Sequence, residues 1–173
     1  MGRSPIIILQ GFKLQLSYQL QIWNKHPYGV RFQIFTGINI NDFLGTWIEN
    51  VRLPNSFEYG ASNVTATYSK IKNSSDIEVV NKCMFDKTPN TAPGKAVVMS
   101  SGKLLVSFYG VPAPYWIIEF TKKYMIVSEP SRKYLWILSK KKKLSNEKIN
   151  ELKEKLRNVY GFGKKVDELI YTQ

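Results

Sequence analysis

The 173-residue chain predicts an all-β fold: an eight-stranded antiparallel up-and-down β-barrel with a C-terminal α-helix packed on its wall. Three observations carry that prediction. From residue 45 onward, short β-like runs recur at roughly 8–12-residue spacing with turn residues between them, the pattern of an antiparallel sandwich or barrel. Their connections are short enough for sequential strands to pair as neighbours. After residue 140 the apolar period changes from that of a strand to that of a helix. Eight such strands can close into a barrel that holds side chains or one small ligand, and closure removes exposed sheet edges.

The runs follow in order. Trp47–Leu53 is closed by Pro54–Asn55–Ser56. Asn63–Lys70 alternates Val64, Ala66 and Tyr68 with Thr65 and Thr67, as a half-buried strand does, and stops at Asn73–Ser74–Ser75–Asp76. Ile77–Phe85, Lys95–Met99 and Leu104–Tyr109 come next, the last two joined by Ser100–Ser101–Gly102. Gly110–Pro114 breaks the chain before Tyr115–Phe120, and Tyr124–Ser128 and Lys133–Ser139 complete the eight. Ser145 then suits a helix N-cap, with Leu144 and Ile149 placed as a hydrophobic staple. Ile149, Leu152, Leu156 and Val159 form one apolar stripe, and Gly161 suits a helix stop. The expected boundaries are a barrel over about 45–140, a helix over about 146–159 and a short final strand over about 168–171.

Composition narrows the function classes. Hydrophobic residues make up 43% of the chain and aromatics 13%, enough for a sizeable core. With Cys83 as its single cysteine and His26 as its single histidine, the chain lacks an internal disulfide, a cysteine-ligated zinc site and a multi-histidine metal site. Ser/His and Cys/His nucleophile pairs are left with one base at most. A lone strand cysteine such as Cys83 reads as a small buried hydrophobe. Most of the common catalytic toolkits are therefore absent, and no cofactor, metal or catalytic residue is expected.

Charge is uneven. The net charge of +12 divides into +2 over residues 1–86 and +10 over 87–173, with ten Lys/Arg facing three Glu in 140–165. Such a segment is either a solvated helix face or a docking face for an anionic membrane surface. No aromatic and basic motif of an RNA-binding kind accompanies it, so nucleic acid is not an expected partner.

Residues 1–37 read as an N-terminal extension to a domain over 38–173. Leu14, Leu16, Tyr18, Leu20 and Ile22 alternate there as in an isolated strand. Arg3 and Ile6–Leu9 begin like a secretory signal, but Gln10 and Lys13 interrupt the apolar stretch and no Ala-x-Ala site follows. A lipid-anchoring cysteine is absent from the segment. The expectation is a soluble protein, with its compartment left open.

Gly45–Thr46–Trp47 is similar to the Gly-x-Trp motif of the lipocalins. Phe57–Glu58–Tyr59–Gly60 and Asn63–Val64–Thr65–Ala66–Thr67–Tyr68–Ser69 resemble the first loop and second strand of one branch, the bacterial outer-membrane lipocalins and the apolipoprotein D group. Val79–Val80–Asn81, Gly94–Lys95–Ala96, Val106–Ser107–Phe108 and Pro130–Ser131–Arg132–Lys133–Tyr134–Leu135–Trp136–Ile137–Leu138–Ser139 follow in the branch's order. The resemblance covers roughly residues 38–173. It departs at Ile48, where the branch usually has Tyr, and at Lys140, where it has Arg over the motif tryptophan. A lysine offers a point charge where arginine offers a stacking plane, so Lys140 is expected to brace Trp47 less well.

The resemblance implies an internal pocket for a small lipophilic ligand, a fatty acid or lysophospholipid by preference, and it leaves room for a homodimer. It points Tyr134, Trp136 and Leu138 into the barrel, with Trp136 foremost. Tyr68, Phe108 and Trp116 are further candidate pocket residues, each of which could instead fill a packed core. Gly45, Trp47 and Lys140 are structural motif residues. Two other readings stay open: a lipocalin-fold enzyme acting on a lipid, and a basic-helix adaptor on anionic membranes.

Overall fold

A computed structural model describes residues 34–140 and 143–173. The alternating Leu14–Ile22 run and His26 lie outside the described residues. After a one-turn helix α1 (Ile40–Phe43) come β1 (Gly45–Arg52), β2 (Ala61–Lys70), β3 (Ile77–Phe85) and β4 (Thr88–Ser100). They are followed by β5 (Lys103–Phe108), β6 (Val111–Phe120), β7 (Tyr124–Ser128) and β8 (Leu135–Lys140). Helix α2 (Asn146–Asn158), a 3-10 helix (Gly163–Glu168) and β9 (Ile170–Tyr171) end the chain. Each strand from β1 to β8 pairs antiparallel with the next, and β8 pairs with β1, so the eight strands close into a barrel.

The larger differences from the sequence expectation lie in proline-containing stretches. β4 begins at Thr88 rather than Lys95, and β6 at Val111 rather than Tyr115. Pro89 and Pro93 lie in the part of β4 that pairs with β3 alone, an edge where a missing N–H is tolerated. Tyr134 precedes β8 instead of lying in it. The final strand is cut to Ile170–Tyr171 by the preceding 3-10 turn.

β1 pairs with β2 only over Gly45–Ile48, and the chain terminus fills the seam beyond. β9 pairs with Val51 and Arg52. Thr172 N–H donates to Asn50 O, and Asn63 N–H donates to Thr172 O.

The core has two parts. One lies inside the barrel near the end carrying α1, around Trp47, Phe43, Phe120 and Met125. Trp47 is fully buried and its Nε1–H donates to Phe43 O at 2.7 Å. Lys140 Nζ sits 4.9 Å from the Trp47 ring centroid and donates to Asp42 O and Leu44 O, each at 2.6 Å. The lysine thus takes the bracing position over the motif tryptophan and also satisfies carbonyls around the C-terminus of α1. Gly45 has φ 101°, a left-handed conformation that suits glycine.

The second part lies between the barrel wall and α2. Ser145 caps the helix by accepting from Lys148 N–H. Ile149, Leu152 and Leu156 are buried against Val51, Ile118, Ile126 and Ile137. At ~1.5–3 kcal/mol for each buried aliphatic side chain, this stripe holds the helix on the barrel. Val159, expected in the stripe, is exposed because the helix ends at Asn158 and the chain turns at Gly161, φ 73°. Glu119 strengthens the contact: its carboxylate accepts from Tyr124 OH (2.6 Å), Lys155 Nζ (2.8 Å) and Tyr160 OH (2.9 Å).

Candidate functional site

At the end opposite α1, the loops β1–β2, β3–β4, β5–β6 and β7–β8 surround the barrel mouth. Beneath them is a cavity of about 150 Å³. Apolar and aromatic groups form most of its wall: Val64, Ala66 and Tyr68 from β2, Val79 and Phe85 from β3, Val106 and Phe108 from β5, Tyr115 from β6, and Trp136 and Leu138 from β8. An apolar cavity of this order takes up a benzene-sized molecule, so the space fits a slender chain or a single ring.

A fault in strand alternation supplies the polar groups. In a regular β1, Trp47 and Glu49 face inward and Arg52 outward. A bulge between Glu49 and Val51 inserts Asn50, and Arg52 turns inward beside Trp136. Asn50 is held by its own hydrogen bonds: Nδ2 donates to Ile48 O and Ser139 Oγ, and Oδ1 accepts from Leu144 N–H. Arg52, 1% exposed, donates through Nη1 to Glu49 Oε1 at 2.7 Å and through Nη2 to Glu58 O and Ala61 O. The guanidinium therefore pins both ends of the segment Glu58–Ala61 at the mouth. Glu58 Oε2 accepts from Trp136 Nε1–H at 3.0 Å and from Asn55 Nδ2–H at 2.6 Å.

Burial raises the Glu49 carboxyl to about 8, helped by the nearby Glu58 carboxylate and only partly opposed by Arg52. Tyr68 and Tyr115 share a hydroxyl–hydroxyl hydrogen bond of 2.7 Å, and burial pushes both phenols well above their ordinary range. Cys83 lines the cavity and is half-buried rather than packed in a core. Burial, then Glu58 and Glu49, raise its thiol, which keeps it protonated and a weak nucleophile. Asn81 also lines the cavity, and its Oδ1 is buried with no hydrogen-bond donor.

Of the six expected pocket residues, Trp136, Leu138, Tyr68 and Phe108 line the cavity. Tyr134 does not; it stacks on Trp136 from the rim, with ring centroids 6.0 Å apart, and Phe57 packs edge-on against it at 5.3 Å. Trp116 faces the other way and packs with the helix-side core, under Lys103 Nζ at 4.8 Å from its ring. The inward residues of β6 are Ala113, Tyr115 and Ile117, one step out of phase with Trp116. Sequence reading missed Glu49, Arg52 and Glu58 because a bulge leaves no periodic signal. The charged Glu–Asn–Val–Arg stretch inside an otherwise apolar run was the visible trace.

The lysine-rich helix is not a free amphipathic surface. Its apolar stripe is covered by the barrel. Lys148 pairs with Glu151, Lys155 with Glu119, and Arg157 with Glu154 and Asp167. Among the described residues no group of three or more His, Cys, Asp or Glu could hold a metal ion, and no helix is long and apolar enough to cross a membrane.

Residues 38–173 match the family model described as a lipocalin-like domain. The chain is 34% identical over 143 residues to the outer membrane lipoprotein Blc of Vibrio cholerae, covering 78% of this chain and 81% of that protein. It is 34% identical over 130 residues to apolipoprotein D of Mus musculus, covering 67% and 68%. Among solved structures, insecticyanin from the tobacco hornworm superposes with a TM-score of 0.67 at 18% identity, over 86% of this chain and 87% of that one, a likeness of fold alone.

Proposed function

The chain belongs to the lipocalin family, and from that membership and the mouth cavity we propose that it binds and carries a small lipophilic molecule with a slender apolar chain. Fatty acids and lysophospholipids supply such a chain. The observation that carries the reading is the cavity itself, about 150 Å³ and walled by Tyr68, Phe108, Tyr115, Trp136 and Leu138. Each buried methylene adds about 0.8 kcal/mol, so a chain of moderate length gains useful affinity after its ordering cost. Binding rather than catalysis is supported by the raised thiol of Cys83. The membrane-adaptor reading is disfavoured because α2 spends its stripe and most of its cations on the barrel and on internal pairs.

The test is a titration of delipidated protein with an uncharged, environment-sensitive long-chain probe at low and high salt. Saturation at one probe per chain, insensitive to salt and weakened in Trp136→Ala, supports the proposal. Absence of saturation, or binding that fades with salt, rejects it.

A further inference from the structure

Two tyrosines meet across the inside of the barrel. Tyr68 lies on β2 and Tyr115 on β6, strands four places apart in a ring of eight, so the two face one another through the lumen. Their hydroxyls are 2.7 Å apart, which makes the hydrogen bond a bar across the barrel. The cavity ends at that bar. On its closed-end side Ile77, Ala96, Ile117 and Met125 belong to the packed core around Trp47, and none of the four lines the cavity. We propose that the Tyr68–Tyr115 bridge is the floor of the ligand site and restricts it to a single chain of medium length or one ring, against long chains and fused rings. The inference rests on the lipophile-binding reading above and narrows its ligand class.

Packing holds the floor in place. The Tyr68 ring lies 4.4 Å from that of Phe43, on α1 at the closed end, and Tyr115 stacks on Trp136 at 6.3 Å. Burial keeps both phenols protonated, so the bridge joins two neutral hydroxyls. A chain pushing past the bridge meets close-packed side chains. Trp47 below is fully buried, and its Nε1–H is committed to Phe43 O. The space above is about 150 Å³, which a benzene-sized group of about six carbons occupies. Each methylene that enters this space raises affinity about fourfold, and one left in the water of the mouth raises it less.

The experiment displaces a neutral fluorescent probe from the whole delipidated chain with straight-chain alcohols from butanol to dodecanol, each below its solubility limit. Affinity is expected to rise about fourfold per carbon as far as about eight carbons, and by less than about twofold per carbon beyond. In Tyr115→Ala and Tyr68→Ala, with cooperative melts confirming the fold, the steep part is expected to run on for about two more carbons or longer. Tyr115→Phe keeps the ring and is expected to keep the break where wild type has it. Among ring compounds, cyclohexylethanol is expected to compete and a four-ring sterol is not. A steep rise unbroken to dodecanol overturns the inference, as does a break that both alanine variants leave in place, or competition by the sterol. Should neither alanine variant fold, the wild-type series and the sterol decide it alone. Each of these contrary results leaves the lipophile-binding reading standing, whereas failure of every alcohol to displace the probe refutes that reading with it.

Discussion

Arg52 Nη1 lies 2.7 Å from Glu49 Oε1 inside the barrel, on the same face of β1 although the two residues are three apart. In a regular strand they point to opposite faces; the bulge at Asn50 brings them together. The pair joins the cavity wall to the mouth, because the same guanidinium holds the backbone of Glu58 and Ala61.

Removing that guanidinium leaves two carboxyls facing one another and frees the mouth loop. Arg52→Met is expected to destabilise the fold by about 3–5 kcal/mol, the usual cost of stripping one partner from a buried pair. Urea unfolding at neutral pH measures it. A loss below about 1 kcal/mol contradicts the assignment of Arg52 as the group that neutralises this wall.

The raised Glu49 carboxyl makes stability depend on pH with a definite sign. Its folded value lies above that of an ordinary glutamate, so its contribution is fully present below about pH 4.5 and is lost as pH rises through about 8. Relative to wild type, Glu49→Gln is therefore expected to gain stability across that window, and thermal melts at several pH values report it. Parallel curves contradict the shift.

The helix is fastened by Glu119. Burial raises this carboxyl, but hydrogen bonds from Lys155, Tyr124 and Tyr160 outweigh burial and hold it below its ordinary value. Stability from this group is present above the ordinary glutamate value and falls as pH drops through the folded one. Glu119→Ala is expected to cost about 1–3 kcal/mol and to speed amide exchange in α2 before the barrel strands. Uniform exchange throughout the chain contradicts a local fastening.

Gly94 supports the cavity by its lack of a side chain. A Cβ there meets Phe108 Cδ1 and Ser107 O, each at 2.6 Å. Because Ser107 O is backbone, Gly94→Ala is expected to strain the β4–β5 pairing as well as push Phe108 from its place on the wall, lowering the melting temperature and weakening probe binding severalfold. Unchanged affinity removes Phe108 from the list of ligand-contacting groups.

Sequence alone gave the barrel's strand order and the helix because both rest on periodicity: Val64, Ala66 and Tyr68 at a period of two, Ile149, Leu152 and Leu156 at helical spacing. The polar wall was not legible, because Glu49 and Arg52 share a face only through a one-residue irregularity. Trp116 and Tyr115 show the same limit: adjacent aromatics on one strand cannot be assigned to faces without register, and the structure puts Tyr115 inside. Tyr134 shares the face of Trp136 but lies beyond the strand, so it caps the mouth where it was expected to line it.

The most direct measurement is quenching of tryptophan fluorescence by a brominated, uncharged single-chain probe. Trp136 lines the cavity and Trp116 lies outside it. Quenching that saturates at one probe per chain, disappears in Trp136→Phe and persists in Trp116→Phe is the predicted result. Quenching that survives in Trp136→Phe and is lost in Trp116→Phe places the chain outside the barrel and contradicts the account.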